Sequence, residues 1–552
     1  MGKSARTRWV VVALTLGLLA AACAGGEETG GDGGGDGGGE AASGGEFSVF
    51  ICEPQFLVPT NSNETCGAEV LNALFIGLVE YDPETSEPLY GQDSDQALAE
   101  TIESQDQQTW TITLKDGYTF HDGTPVTAQS FVDSWNYGAY GPNAQRNSYF
   151  YENIAGYDDL QCPDDECNRR PTTDEMSGLE AVDDQTLEVT LAAPFSQFPL
   201  TVGYTAFYPM PEAFFAQGGN KLREAPVGNG PFEMDGTWQH NRQIQVARYD
   251  DFGGEPAAAG GVTFKIYAED DTAYNDLLAG NLDVMDQLPP EQIESAQAQL
   301  GDRYLEGESS SYTYIGFDVT DPRFADERLR QAFSMAVDRE AITETILPDQ
   351  VPAASVVSPV VAGSRPDPCG ELCDYNPAQA KRLFDQAGGY DGELVLWLNS
   401  GAGHEVWMEA VANQLRQNLG ISDISFESLT FAPYLSALDS GSYTGPFRLG
   451  WVMDYPSPQN YLEPIYSTDG SSNYFNYSNP RVDSLIDRGN AADTVQDGIR
   501  FYQQAEDLIL QDMPSLPMFF GRVAGGHSEN VEGVIVDAFD RVNTADIEVT
   551  GG

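Results

Sequence analysis

The stretch Trp110-Thr111-Ile112-Thr113-Leu114-Lys115-Asp116-Gly117-Tyr118-Thr119-Phe120-His121-Asp122-Gly123-Thr124-Pro125-Val126-Thr127-Ala128 decides the reading of the fold. Trp110, Ile112 and Leu114 alternate with Thr111 and Thr113, the period-two pattern of a half-buried strand. His121-Asp122-Gly123 then predicts a turn, and Thr127 stands where an N-cap opens a helix near Ala128. The same rhythm spreads outward. Residues 186–191 alternate as another strand, and Leu277-Leu278 followed by Gly280-Asn281-Leu282-Asp283 predicts a helix that turns back into a strand. Helical spacing covers residues 328–342 and 377–388, the latter through Ala380, Leu383, Phe384 and Ala387. Residues 406–419 predict a helix closed by Gly420, with a strand over 424–429 behind it. Residues 141–176 are polar and predict a long surface excursion. No repeat of about 20–50 residues is present. Helix-then-strand alternation of this kind predicts mixed α/β lobes.

The chain has 552 residues, about twice what one hydrophobic core supports, which predicts two or three lobes. Hydrophobic residues at 41% and aromatics at 11% supply a sizeable core and exclude a disordered chain. Acidic residues outnumber basic ones 86 to 27, for a net charge of −59. That balance excludes a nucleic-acid binder, because phosphate backbones are held by Lys and Arg. So acidic a surface predicts a heavily solvated exterior whose self-repulsion is screened by external salt, and hence a saline or alkaline habitat; attraction of cationic ligands is a competing use of the same charge. Beyond the N-terminus no apolar run approaches the ~18 residues of a membrane span.

Lys3, Arg6 and Arg8 precede an apolar run from Trp9 to Ala22 and then Cys23, the layout of a secretory signal over residues 1–22. Leu19-Ala20-Ala21-Ala22-Cys23 resembles a bacterial lipobox, although the usual Leu sits three places before the Cys and here it sits four before. Cys23 is therefore the expected lipidation site, which removes three basic groups and leaves −62 on the mature chain. Residues 23–46 are Gly-rich and carry no aromatic side chain before Phe47, so they predict a flexible tether spanning about 25 Å. The remaining six cysteines fall into three local couples: Cys52 with Cys66, Cys162 with Cys167, and Cys369 with Cys373. An even count outside the cytoplasm predicts disulfides, and six cysteines allow fifteen connectivities. There is no CxxC, and the four His (121, 240, 404, 527) are scattered singly, so no metal site and no cofactor are expected.

Several stretches, in order, carry a resemblance. They are Gln96-Ala97-Leu98-Ala99-Glu100 with the stretch 110–128, then Gly228-Asn229-Gly230-Pro231-Phe232, and Arg328-Leu329-Arg330-Gln331-Ala332 running to Ala336-Val337-Asp338-Arg339-Glu340-Ala341-Ile342. Gly450-Trp451-Val452-Met453-Asp454-Tyr455-Pro456 and Met513-Pro514-Ser515-Leu516-Pro517 close the series. Together they resemble the bacterial extracellular solute-binding proteins of family 5, the periplasmic or lipid-anchored components of peptide and nickel ABC importers. The resemblance implies an α/β, two-lobed, type II periplasmic-binding-protein-like clamp with an additional domain. Lobe 1 would combine residues 47–90, 178–308 and 512–552; residues 91–177 would be the additional domain, and 309–511 lobe 2. Chain crossings near 310–312 and near Met513 would form the hinge, and ligand would close it by touching both lobes.

Residues 447–455 alternate, with Phe447, Leu449, Trp451 and Met453 on one face and Arg448, Gly450, Val452 and Asp454 on the other. An exposed strand edge here would pair with an extended peptide through its main chain, with Gly450 leaving room for another backbone. In oligopeptide-binding members the Asp at this motif position holds the peptide α-amino group. By resemblance Asp454 takes that role, Arg448 serves the ligand carboxylate, and Trp451, Val452 and Tyr455 line the site. The bland alternatives are a turn or cap residue at Asp454, a structural Arg448 paired with surface acids, and a core Trp451; His121 and Asp122 read as structural. The family often has Asp-Tyr-Pro-Asp-Pro, and here Ser457 replaces the second Asp.

Enzyme readings find little support. His404-Glu405 starts like a zinc-protease helix, but position 408 is Met. There is no GxSxG elbow and no P-loop, and paired carboxylates are guaranteed by composition. The expected protein is a monomeric, lipid-anchored receptor on the extracytoplasmic face of a bacterial membrane, capturing oligopeptides for the membrane subunits of an ABC permease. Another cargo on the same scaffold, an oligosaccharide or a metal chelate, is the alternative; a secreted hydrolase stands further off.

Overall fold

The computed structural model describes residues 44–164, 167–216, 219–400 and 402–550. The expected leader over residues 1–22, Cys23 and the tether up to residue 43 lie outside the described residues.

Two 13-residue strands, Tyr304–Gly316 and Ser515–His527, run antiparallel through the middle of an 11-stranded sheet. Tyr304 to Glu308 pair with Gly526 to Arg522, and Tyr312 to Gly316 with Phe520 to Ser515; the register slips between Glu308 and Tyr312. On one side of the slip the sheet continues through Val284–Met285, Glu46–Ile51, Gly261–Ile266, Gln243–Arg248 and Phe232–Met234. On the other it continues through Phe447–Trp451, Leu394–Asn399 and Ile424–Leu429. These two long strands therefore join two half-sheets, and a bulge marks where the neighbours change. The partners change around residues 308–312 of the first strand and residues 520–522 of the second. Met513 caps the helix Val495–Asp512 in a left-handed conformation, φ 51°.

A separate four-stranded antiparallel sheet holds the stretch read first. Thr109–Leu114 is a strand with Trp110, Ile112 and Leu114 buried, paired on one side with Ala99–Ser104 and on the other with Thr186–Thr190. The turn closes with Gly123 at φ 81°, and the helix runs Ala128–Ala139 behind Thr127. His121 explains why two of the resemblance motifs occur together. Its Nδ1 accepts from the Gly228 N–H at 3.0 Å and its Nε2 donates to the Gly230 carbonyl at 3.1 Å. Burial holds its pKa down at about 4, so the ring is a neutral strut, as its structural reading required.

Three expectations need correction. Residues 328–342 form two helices, Glu327–Met335 and Arg339–Thr345, because the Asp338 carboxylate accepts from the Ala341 N–H and starts a new helix. Residues 141–176 are not a mere surface excursion: Tyr151 and Leu160 are fully buried, and Asn147 donates to the carbonyls of Pro59 and Ser62. The strand in 447–455 stops at Trp451, so the face alternation does not extend to Asp454. Elsewhere the helices His404–Leu419 and Pro377–Gln386 and the strand Ile424–Leu429 follow the sequence closely. The cysteine couples are disulfides: Cys52–Cys66, Cys162–Cys167 and Cys369–Cys373. The body begins and ends in one place. A Cβ built on Gly45 would lie 2.6 Å from the Val549 side chain, and Val549 pairs with Val531.

Candidate functional site

The strand Phe447–Trp451 pairs along its whole length with Tyr312–Gly316, but touches Leu394–Asn399 only at Phe447, opposite Trp397. Beyond Phe447 its far edge has no neighbouring strand among the described residues; the Arg448 carbonyl accepts from the Tyr434 hydroxyl, and the edge past it is open to an added strand. A Cβ on Gly450 would sit 3.2 Å from the Tyr312 carbonyl oxygen and 3.5 Å from Arg448 Nη2. The missing side chain relieves the tight approach to the Tyr312 carbonyl, whereas Arg448 Nη2 lies at an ordinary contact distance.

Where the strand ends, the chain bends inward, and Asp454 enters a buried site with 9% exposure. Its N–H donates to Asn460 Oδ1 at 2.8 Å, and its Oδ2 accepts from Asn460 Nδ2 at 2.8 Å. Trp451 Nε1 donates to the same Asn460 Oδ1 at 3.1 Å. Tyr204, far away in sequence, hydrogen-bonds the Asp454 carboxyl. No Lys, Arg or His forms an ion pair with Asp454 among the described residues. Burial therefore pushes its pKa up from 3.8 to about 7, against the pull of its Asn460 and Tyr204 bonds. Tyr455 is buried with its hydroxyl on Gln459 Oε1, and Val452 is half-buried. Tyr455 and Asn460 line a cavity of about 470 Å³ whose opposite wall is formed by Tyr149, Phe150, Phe195 and Phe198.

Arg448 is the complementary case. Nη1 donates to Asn399 Oδ1 at 3.1 Å, Nε has no partner, and no carboxylate pairs with it among the described residues. Burial brings its pKa down from 12.5 to about 10. His404 lies half-buried close by; desolvation first, and the Arg448 charge second, lower its pKa and keep it neutral. The helix it opens buries Met408 in the core, with no second His for a metal. Asp454 and Arg448 are thus opposite charges, both unpaired, on chain positions no more than about 20 Å apart when extended.

The site is tied to the crossing strands and across the cleft. Met453 N–H donates to Ser310 Oγ at 3.1 Å and Tyr461 donates to the Ser310 carbonyl at 2.6 Å, both at the register slip. Ser457 donates to Gln197 Oε1 at 2.8 Å, and Ser196 N–H to the Asn490 carbonyl at 3.1 Å. Ser457, the departure from the family pattern, is fully buried at this junction. Asn460, Tyr204 and Asn399 were not singled out in the sequence; Tyr204 stands 250 positions from Asp454 and carries no local signal. Among the described residues the one group of metal-type ligands is Cys52, Glu64 and Cys66, whose sulfurs are already bonded to each other.

The model for bacterial extracellular solute-binding proteins, family 5 Middle, matches residues 95–473. The periplasmic murein peptide-binding protein MppA of Escherichia coli K12 is 28% identical over 477 residues, 85% of this chain and 86% of that protein. The oligopeptide-binding protein OppA of Bacillus subtilis 168 is 25% identical over 502 residues, 88% and 89% of the two chains. Among solved structures, the E. coli murein tripeptide binding protein MppA superposes with a TM-score of 0.80 at 25% identity, covering 93% of this chain and 99% of that one. Against the unliganded open form of MppA the score falls to 0.68 at 25% identity, covering 92% and 98%. The fold is the two-lobed α/β clamp expected, and its lobes are disposed less like that open form.

Proposed function

The chain belongs to the bacterial extracellular solute-binding proteins of family 5, and from that premise we propose that it is the substrate-binding component of an ABC importer and captures oligopeptides between its two lobes. Asp454 receives the peptide α-ammonium, the free edge of Phe447–Trp451 pairs with the peptide main chain, and Arg448 meets a carboxylate. Trp451, Val452 and Tyr455 wall the entry, and Gly450 leaves room for the peptide backbone. The proposed lobes are residues 47–90, 178–308 and 512–552 on one side, with 91–177 beside them, and 309–511 on the other. The hinge lies at the register slip in the two long strands.

One observation carries this reading: half-buried Arg448 in the edge strand and buried Asp454 three residues past its end are opposite charges without ion-pair partners, so an extended guest with charged ends supplies what each lacks. Binding energy arises from contacts to both lobes that only the closed form makes. No covalent step is needed. We further propose that residues 1–22 direct export and that Cys23 carries the lipid that holds this monomeric receptor at the extracytoplasmic face.

Calorimetry with a short peptide and its N-acetylated form tests the reading. The free peptide binds, and acetylation removes most of the affinity. Equal affinity for the two forms would overturn the role of Asp454. Native mass spectrometry of the purified protein would identify retained cargo; an oligosaccharide or a metal chelate there would replace the peptide.

A further inference from the structure

Asn460 is 1% exposed, lines the cavity beside Tyr455, and its amide joins three groups. Oδ1 accepts from both Asp454 N–H and Trp451 Nε1, and Nδ2 donates to Asp454 Oδ2. Only one orientation of the amide satisfies all three, since two donors converge on one atom and a carboxylate oxygen on the other. The local sequence fixes where this amide stands. Asn460 lies in the first turn of the helix Pro458–Tyr466, where Pro458 presets the first helical residue and Ser457 caps it by accepting from Gln459 N–H at 3.2 Å. Ser457 is in turn held across the cleft by Gln197.

We propose that Asn460 is the positioning residue of the amine-binding site, orienting the Asp454 carboxylate toward the ligand ammonium and holding Trp451 as the wall beside it. With Oδ2 committed to the amide, the remaining acceptor capacity of the carboxylate goes to Tyr204 and to the incoming cation. The Nδ2 donor also favours the charged carboxylate in a site whose burial disfavours it. The other groups that sense Asp454 are Tyr81, Tyr149, Tyr204, Tyr455 and Tyr461, all pushed up by burial and so neutral through the working range. The cation among their neighbours is Arg541, felt by Tyr81 and Tyr204, and the further acids are Glu463, felt by Tyr455, Glu152, felt by Tyr149, and Asp540, felt by Tyr461. None of these replaces the amide.

The inference rests on Asp454 as the amine anchor, and the test separates the two. Tri-alanine and N-acetyl-tri-alanine are titrated into native protein and into Asn460→Asp by calorimetry between pH 5.5 and 9, roughly the span over which Asp454 and a peptide amine change charge. Asn460→Asp keeps both acceptor bonds but turns the donor into a second carboxyl sharing a proton with Asp454. Tri-alanine affinity at pH 7 falls at least about tenfold, the acid limb of the pH profile moves upward by about one unit, and binding of the acetylated peptide is unchanged. In an Asp454→Asn background Asn460→Asp has little further effect, the mark of a residue that acts through Asp454. Asn460→Ser, small and neutral, gives the same direction if the Asp variant does not fold. Parallel loss for both peptides with an unmoved profile would show a merely structural amide and overturn the proposal. Native protein that discriminates while Asn460→Asp and Asn460→Ser bind as native would overturn it and leave Asp454 standing. Native protein that binds both peptides equally would overturn both.

Discussion

Replacing Asp454 by Asn should make the empty receptor close more readily while it loses its ligand. With the carboxyl solvated in the open form, burial on closing lifts it from 3.8 to about 7. An acid whose pKa is raised by closing is protonated first in the closed form. Closing is therefore unpenalised below pH ~4, loses about 1.4 kcal/mol for each pH unit up to ~7, and loses nothing further above that. At pH 7.5 the charged carboxylate opposes empty closure by about 4 kcal/mol, roughly a thousandfold in the equilibrium between the two forms. A ligand ammonium removes that opposition. Asp454→Asn keeps the shape, deletes the charge, and should shift the unliganded population toward the closed form. Small-angle scattering at pH 7.5 would show a smaller radius of gyration for the empty variant than for empty native protein. Native protein should show the same compaction on acidification toward pH 4.5, a value inside the ~4–7 window. Peptide affinity of the variant should drop by several kcal/mol, since the ammonium then enters a buried site unpaired. Scattering curves that superpose for the two empty proteins, with undiminished peptide binding, would refute the reasoning.

Arg448→Met should raise the unfolding midpoint of the empty protein by several degrees, because holding the guanidinium with a pKa of about 10 opposes folding by about 3 kcal/mol. The same variant should bind amidated and free-carboxylate peptides alike, and a native-like preference measured by calorimetry would remove Arg448 from the site. Thermal stability should climb from low to molar salt as the net charge of −59 is screened, and a flat series in differential scanning calorimetry would contradict it.

The strand, turn and helix around residues 110–128 were legible because period-two burial and a cap residue are local properties, and the structure keeps both. The cysteine couples were legible for a related reason: partners 14, 5 and 4 positions apart have few ways to avoid each other. Asp454 and Arg448 were singled out through motif order, which composition could not do. That Asp454 is buried with no cation beside it is a property of the fold that no sequence displays. The end of the strand at Trp451 was missed because alternation in the sequence continues past it, while Asn460 draws the Asp454 N–H out of the ladder. Tyr204 and Gln197 reach the site from another part of the chain, and only the fold brings them there. The split at Asp338 was hidden because the apolar spacing of 328–342 is uninterrupted, although an Asp in mid-pattern is itself an N-cap signal.

The neighbouring positions of Gly45 and Val549 make the body nearly a closed ring of chain. A short linker could splice these two points, and new termini could then be opened in an exposed loop such as that around Asn168 without parting any of the half-sheets. Fluorophores at such transplanted ends would report on the protein from that exposed loop, and the splice at Gly45 and Val549 would leave the strand pairings intact.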